Sequence, residues 1–221
     1  MSIRENTRKL LQTMPDGVFI VAAAKTRTGI EISEAIEAGI TNIGHNYVQE
    51  AENTAQATSG RAKLHLIGHL QRNKVKRAAR LFDMIETIDS AEIARVLNDE
   101  CGIEGKTMPV LIEVNSGREP QKSGVLPEDA IALAREITQL NHISLSGLMT
   151  IGPLAGDAEM ARPYFQTTWQ LFRDIKKLRL HEAEMQYLSM GMSDTYVTAI
   201  EEGANLVRIG TAIFGPRPAK A

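Results

Sequence analysis

The chain has a single cysteine, so Cys101 has no internal partner for a disulfide, and no Cys/His cluster shows the spacing of a structural zinc site. A reducing compartment fits that usage. Long apolar runs are missing too. The most apolar stretch, Gly17 to Ala24, is eight residues and far too short to span a bilayer. Met1 to Met14 carries Arg4, Glu5, Arg8 and Lys9 and offers no apolar core for a signal peptide. Nor is there an excess of charge: 25 basic and 27 acidic residues leave −2, which gives no global field to gather nucleic acid or anionic lipid. The basic run Arg72, Lys74, Lys76, Arg77 and Arg80 lacks interleaved aromatics and reads as a solvated helix face. The expectation is a cytoplasmic protein bound to neither membrane nor nucleic acid, in which any anion must be held locally.

What is present is an alternation. Across 221 residues, 43% hydrophobic and 24% charged, β-branched apolar runs alternate with helix-period segments, the pattern of successive βα units and a parallel sheet. Eight strands are predicted: Val18 to Ala24, Asn42 to Gly44, Leu64 to Gly68, Met84 to Ile88, Pro109 to Val114, Ser144 to Met149, Met185 to Leu188 and Leu206 to Ile209. Helical segments between them include Ile30 to Ala38, Asn73 to Leu81, Ser90 to Glu100, Pro127 to Leu140, Asp157 to Leu178 and Asp194 to Glu202, and residues 2 to 13 form a leading helix. Asp89 or Ser90 suits a helix start, Pro127 a first turn, and Gly39 and Gly203 helix ends. Gly152 to Gly156 reads as a mobile loop. Eight βα units without a linker favour one closed (β/α)8 TIM-type barrel over residues 1 to 221, with an open doubly wound sheet as the alternative.

In such a barrel the chemistry gathers at the C-terminal ends of the strands, and a phosphate site commonly follows strands 7 and 8. Lys25 emerges from Ile20-Val21-Ala22-Ala23-Ala24, where apolar surroundings favour the neutral amine that attacks an aldehyde; a solvated strand-end lysine is the plainer alternative. Ser189 to Ser193 and Gly210-Thr211 offer hydroxyls and small residues that let backbone N–H groups approach a phosphate, and a helix starting near Asp194 would add its dipole. Either segment alone is equally a turn or a cap. Arg208, inside the last strand, needs a partner, whether a structural carboxylate or a ligand. His65 and His69 lie across a strand end, a poor spacing for a metal, and Cys101 has no basic neighbour to activate it.

Taken in order, Lys25 after its apolar strand, Asn46-Tyr47-Val48-Gln49-Glu50, His65-Leu66-Ile67-Gly68-His69-Leu70-Gln71-Arg72-Asn73-Lys74, Gly147-Leu148-Met149, Leu188-Ser189-Met190-Gly191-Met192-Ser193-Asp194 and Arg208-Ile209-Gly210-Thr211-Ala212-Ile213-Phe214-Gly215 resemble the pyridoxal-phosphate homeostasis family over residues 18 to 217. The resemblance implies a barrel like the N-terminal domain of alanine racemase, with pyridoxal 5'-phosphate held as a Schiff base on Lys25 and Arg208 facing the ring nitrogen. It implies phosphate contacts from Ser189, Ser193, Gly210 and Thr211, and a pocket lined by Asn46, Ile67, His69 and Met190. Because an arginine keeps its proton, a ring nitrogen facing it would stay unprotonated, which suits holding the cofactor more than driving carbanion chemistry.

Two departures stand out. The family usually has Gly-Glu-Asn where this chain has Gly44-His45-Asn46, and Ser where Ala24 precedes the lysine. The first is expected to put an imidazole in place of a carboxylate beside the cofactor linkage. Three functions remain in view: a non-enzymatic carrier that buffers or delivers the cofactor to apo-enzymes, expected to act as a monomer; a pyridoxal-phosphate-dependent racemase or lyase; and a Schiff-base aldolase for a phosphorylated sugar that uses the same lysine without a cofactor. With the chain ending at Ala221, just past the last barrel element, no further domain is expected to supply a racemase's second acid/base.

Overall fold

The computed structural model describes residues 2–153, 157–181 and 183–216. Eight parallel strands close into a barrel in sequence order: β1 (Phe19–Ala23), β2 (Asn42–His45), β3 (Lys63–Leu66), β4 (Met84–Ile88), β5 (Met108–Glu113), β6 (Ile143–Met149), β7 (Ala183–Ser189) and β8 (Leu206–Ile209). The seam is the β1 to β8 ladder, which pairs Val21 with Arg208. This is the expected closed barrel, and it excludes the open sheet.

Helices α1 (Ile3–Thr13), α2 (Gly29–Glu37), α3 (Val48–Thr58), α4 (Val75–Leu81), α5 (Ala91–Ile103), α6 (Ala130–Ile137), α7 (Ala158–Lys177), α8 (Tyr196–Glu201) and α9 (Thr211–Phe214) accompany the strands. Their starts follow the capping chemistry. Ser2 with Glu5 and Thr28 with Glu31 form reciprocal capping boxes, Ser90 accepts from Ile93 N–H, and Asp157 accepts from Met160 N–H. Pro127 opens a 3-10 turn that leads into α6. Residues 154–156 of the loop expected to be mobile lie outside the described residues.

Alternation along each strand divides the core in two. Residues such as Ile20, Ala22, Ile43, Leu66, Ile85 and Ile112 point outward and pack under the helices. A smaller inner cluster of Val21, Ile67, Met84, Leu111, Met149 and Leu206 fills the barrel. Gly147 marks the register shift between β6 and β7, because a Cβ there would stand 1.8 Å from the Tyr187 carbonyl oxygen. Two contacts tie the ends of the chain to the seam: Asn6 Nδ2 donates to the Ile213 carbonyl of α9 at 3.1 Å, and Arg27 Nη2 to the Gly215 carbonyl at 2.6 Å.

Candidate cofactor site

A cavity of about 510 Å³ opens at the C-terminal end of the strands. Lys25 stands on its wall, half-buried, two residues beyond β1. The chain turns at once after it. Thr26 adopts φ +62°, a left-handed conformation that a β-branched residue rarely takes, and its N–H donates to Glu50 Oε1 at 3.3 Å. That anchor on α3 fixes the turn from which the lysine projects. Lys25 Nζ lies 5.5 Å from the centroid of the Tyr47 ring, within cation–π range.

The neighbouring strand ends bring Asn46 and Ile67 to the same wall. They come close together because Gly68 has no side chain, a Cβ there being 2.3 Å from the Asn46 carbonyl oxygen. Across the mouth, Ser193 Oγ accepts from the backbone N–H groups of Gly210 at 3.2 Å and Ala212 at 3.3 Å. Gly210, Thr211 and Ser193 all line the cavity, so hydroxyls and main-chain donors converge on one spot, the requirement for an anion cradle. The neighbouring helix contributes less than expected, since α8 begins at Tyr196 rather than near Asp194.

Arg208 forms part of the cavity wall while only 4% of its surface is exposed. Nη2 donates to the Thr150 carbonyl at 2.8 Å and Nη1 to Ser189 Oγ at 2.5 Å. Ser189 Oγ lies 2.6 Å from Glu86 Oε2, and Glu86 Oε1 lies 2.7 Å from His65 Nδ1. Burial alone would raise the Glu86 carboxyl, but the bond from His65, the charges of His65 and Arg208 and the Ser189 hydroxyl override it and hold the carboxyl below its ordinary value. Glu113, also buried, goes the other way. Desolvation, with repulsion from Asp89, pushes it up to about 7 against the pull of Arg208.

Lys25, Asn46, Ile67, Ser193, Arg208, Gly210 and Thr211 thus meet at one cavity. Three other candidates stand elsewhere. Ser189 is fully buried between Glu86 and Arg208 instead of facing the anion cradle, Met190 is buried in the outer core, and the half-exposed His69 bonds Asp89 at 3.0 Å. The two departures from the family pattern also lie away from the cavity. His45, at the end of β2, and Ala24, just past β1, face outward under the helices, and His45 Nε2 lies 3.1 Å from Thr54 Oγ1 of α3. An imidazole beside the cofactor linkage was the wrong expectation, because strand alternation turns His45 under the helix. The hydroxyl proton of Thr54 goes to the Glu50 carbonyl at 3.0 Å, so Nε2 carries the ring hydrogen and Nδ1 is left with no partner among the described residues. Burial holds this ring down at about 4, hence neutral. The arginines of the basic run are engaged with acids, Arg72 with Glu92, Arg77 with Glu52 and Arg80 with Glu104.

Sequence reasoning missed Tyr47, Arg27, Ile151 and Glu86. Only Glu86 carried a signal: a carboxylate in the middle of the apolar run Met84 to Ile88.

A strand-end lysine, a hydroxyl and main-chain cradle and a buried arginine meet around one cavity at the mouth of a (β/α)8 barrel, an arrangement suited to a small anionic ligand. Residues 1–218 match the family model for the alanine racemase N-terminal domain. The chain is 36% identical to the pyridoxal phosphate homeostasis protein of Pasteurella multocida, covering 98% of both chains, and 40% identical to that of Vibrio alginolyticus, covering 97% of this chain and 93% of the relative. The structure of PipY from Synechococcus elongatus PCC7942 with PLP bound superposes with a TM-score of 0.89 at 31% identity, over 97% of this chain and 100% of that one. Alanine racemase of Clostridium difficile shares the fold alone, with a TM-score of 0.80 at 15% identity. The chain belongs to the alanine racemase N-terminal domain family and, within it, to the pyridoxal phosphate homeostasis proteins.

Proposed function

We propose that this protein binds pyridoxal 5'-phosphate in the cavity at the barrel mouth and serves its homeostasis by buffering the cofactor or delivering it to apo-enzymes. The observation that carries the reading is the convergence of Lys25, Arg208 and the Ser193, Gly210 and Thr211 cradle on one cavity. Its volume of about 510 Å³ suits a cofactor of this size. The bound group supplies an aldehyde, an aromatic ring nitrogen and a phosphate. Lys25 offers the amine for the aldehyde. Two of the five N–H donors of Arg208 are engaged by Ser189 and Thr150, which leaves others for the ring nitrogen. The hydroxyls of Ser193, held in place by the Gly210 and Ala212 N–H groups, and of Thr211 receive the phosphate, and Asn46 and Ile67 flank the ring. Ser189 acts on this wall through Arg208.

The reading is of a single-domain cytoplasmic monomer without a turnover reaction of its own. A racemase needs a second acid/base on the face opposite its lysine, and among the described residues the cavity lining holds no His, Tyr or Cys, its one carboxylate, Asp194, standing next to Ser193 of the anion cradle. Protein loaded with pyridoxal phosphate is expected to restore activity to a cofactor-free pyridoxal-phosphate enzyme while leaving a panel of L- and D-amino acids unconverted. Sustained racemisation or cleavage of any of them would replace the carrier with an enzyme.

A further inference from the structure

Arg208 shares the barrel interior with a fully buried carboxylate that no ligand contact requires. Glu86 rises from the middle of β4 and bonds the Ser189 hydroxyl, at the end of β7, at 2.6 Å. That hydroxyl in turn bonds Arg208, on β8, at 2.5 Å. The directions of these bonds are fixed. A guanidinium only donates and a carboxylate only accepts, so Ser189 must accept from Arg208 and donate to Glu86. By the same rule His65 donates through Nδ1 to the other Glu86 oxygen. The result is a chain of bonds across the barrel axis with one polarity. It leads from the cavity wall, through a hydroxyl that can face only one way, to a charge with no exposure at all.

We propose that Glu86 is a positioning residue. Through Ser189 it fixes the rotamer of Arg208, balances its buried charge, and so aims its remaining donors at an aromatic nitrogen in the cavity. The inference rests on the cofactor reading above but concerns residues of this chain alone. Three features support it. Glu86 contacts the Arg208 network and not the cavity lining. Its two oxygens each have a partner, unlike Glu113, whose Oε2 has none among the described residues. A buried guanidinium without a balancing carboxylate would be costly, and Glu113, the other carboxyl whose charge Arg208 feels, is pushed up to about 7 and so carries only part of its charge near neutral pH.

The test compares wild type with E86Q and S189A, each as the full chain. E86Q keeps the shape and removes the charge, while S189A cuts the link and leaves the Glu86–His65 pair. In ligand-free protein, 15N-detected side-chain spectra read the Arg208 guanidinium directly. Wild type should show slowly exchanging Nη protons, and both variants should show them averaged and exchanging faster. With pyridoxal phosphate added, borohydride should still trap the cofactor on Lys25 in every variant. The visible band of the variants should shift, and their dissociation constants should rise roughly tenfold, the loss expected when a charge-assisted contact is misaimed. S189A serves as the deciding variant if E86Q is unfolded by circular dichroism. Unchanged Arg208 resonances, or an unchanged band and affinity in folded variants, would overturn the proposal. If wild type takes up no cofactor, the functional reading falls, and the ligand-free spectra still decide whether Glu86 holds Arg208.

Discussion

Two buried groups are set against each other in their response to pH. Burial lowers His45 from 6.5 to about 4, and desolvation raises Glu113 from 4.5 to about 7. Both side chains are almost wholly removed from solvent, His45 0% and Glu113 5% exposed, so solvent screening does not dilute either effect. Each difference of about 2.5 is worth ~3 kcal/mol of linkage at 1.36 kcal/mol per pH unit. The signs differ. For His45 the unfolded chain binds the proton more tightly, so its term favours the fold above 6.5 and is lost as pH falls through that value toward 4. For Glu113 the folded chain binds the proton more tightly, so its term is complete below 4.5 and is lost as pH rises through 7. Between 4.5 and 6.5 the two slopes cancel. Removing either group exposes the other. His45→Leu leaves Thr54 bonded to the Glu50 carbonyl and should gain about 3 kcal/mol relative to wild type on going from pH 7.5 to pH 4. Glu113→Gln should gain a similar amount, about 3 kcal/mol, on going from pH 4 to pH 8. Urea unfolding of cofactor-free protein across this range measures both differences. Wild-type and variant stabilities that run parallel across the pH range would refute the reasoning.

Ser193→Ala removes the acceptor shared by Gly210 and Ala212 and should weaken pyridoxal phosphate binding about tenfold, read by titration, while the fold stays intact. Full affinity would show that the cradle is not the phosphate site. Gly68→Ala drives a methyl into the Asn46 carbonyl and should destabilise by ~1–3 kcal/mol or more, lowering Tm and cofactor uptake together. A wild-type Tm would contradict that packing argument. Burial raises the Cys101 thiol from 9.0 to about 11, roughly a hundredfold less thiolate at neutral pH, so a disulfide reagent should label it slowly in native protein and quickly in urea. Fast native labelling would mean that α5 opens readily.

Much of the barrel was legible because its strands are apolar runs bounded by polar turns. Met84–Ile88 and Leu206–Ile209 match the predicted bounds, and β1 differs by one residue at each end. Helix α3 was not among the predicted helices. Its buried positions are Val48, Ala51, Thr54 and Thr58, which make no strong apolar stripe, and Tyr47 caps it without a side-chain bond. Missing α3 also hid the surroundings of His45, whose partner Thr54 lies on that helix. At the end of β7 and in the loop beyond it, spacing alone did not separate Ser189 from Ser193. Both precede Arg208 and both are small hydroxyls, yet the fold turns one into the barrel and the other toward the cradle. Lys25 and Arg208 were readable because each breaks an apolar strand at a point where only a partner or a ligand repays the charge.

The most direct test of the account is reduction with borohydride of purified protein mixed with pyridoxal phosphate, followed by peptide mapping by mass spectrometry, for wild type beside Lys25→Ala. Wild type should show a yellow band that bleaches on reduction and a pyridoxyl mass confined to Lys25, with both absent from a folded Lys25→Ala variant. A label spread over surface lysines, or equal labelling of the variant, would contradict the assignment of Lys25 and of the cavity it stands in.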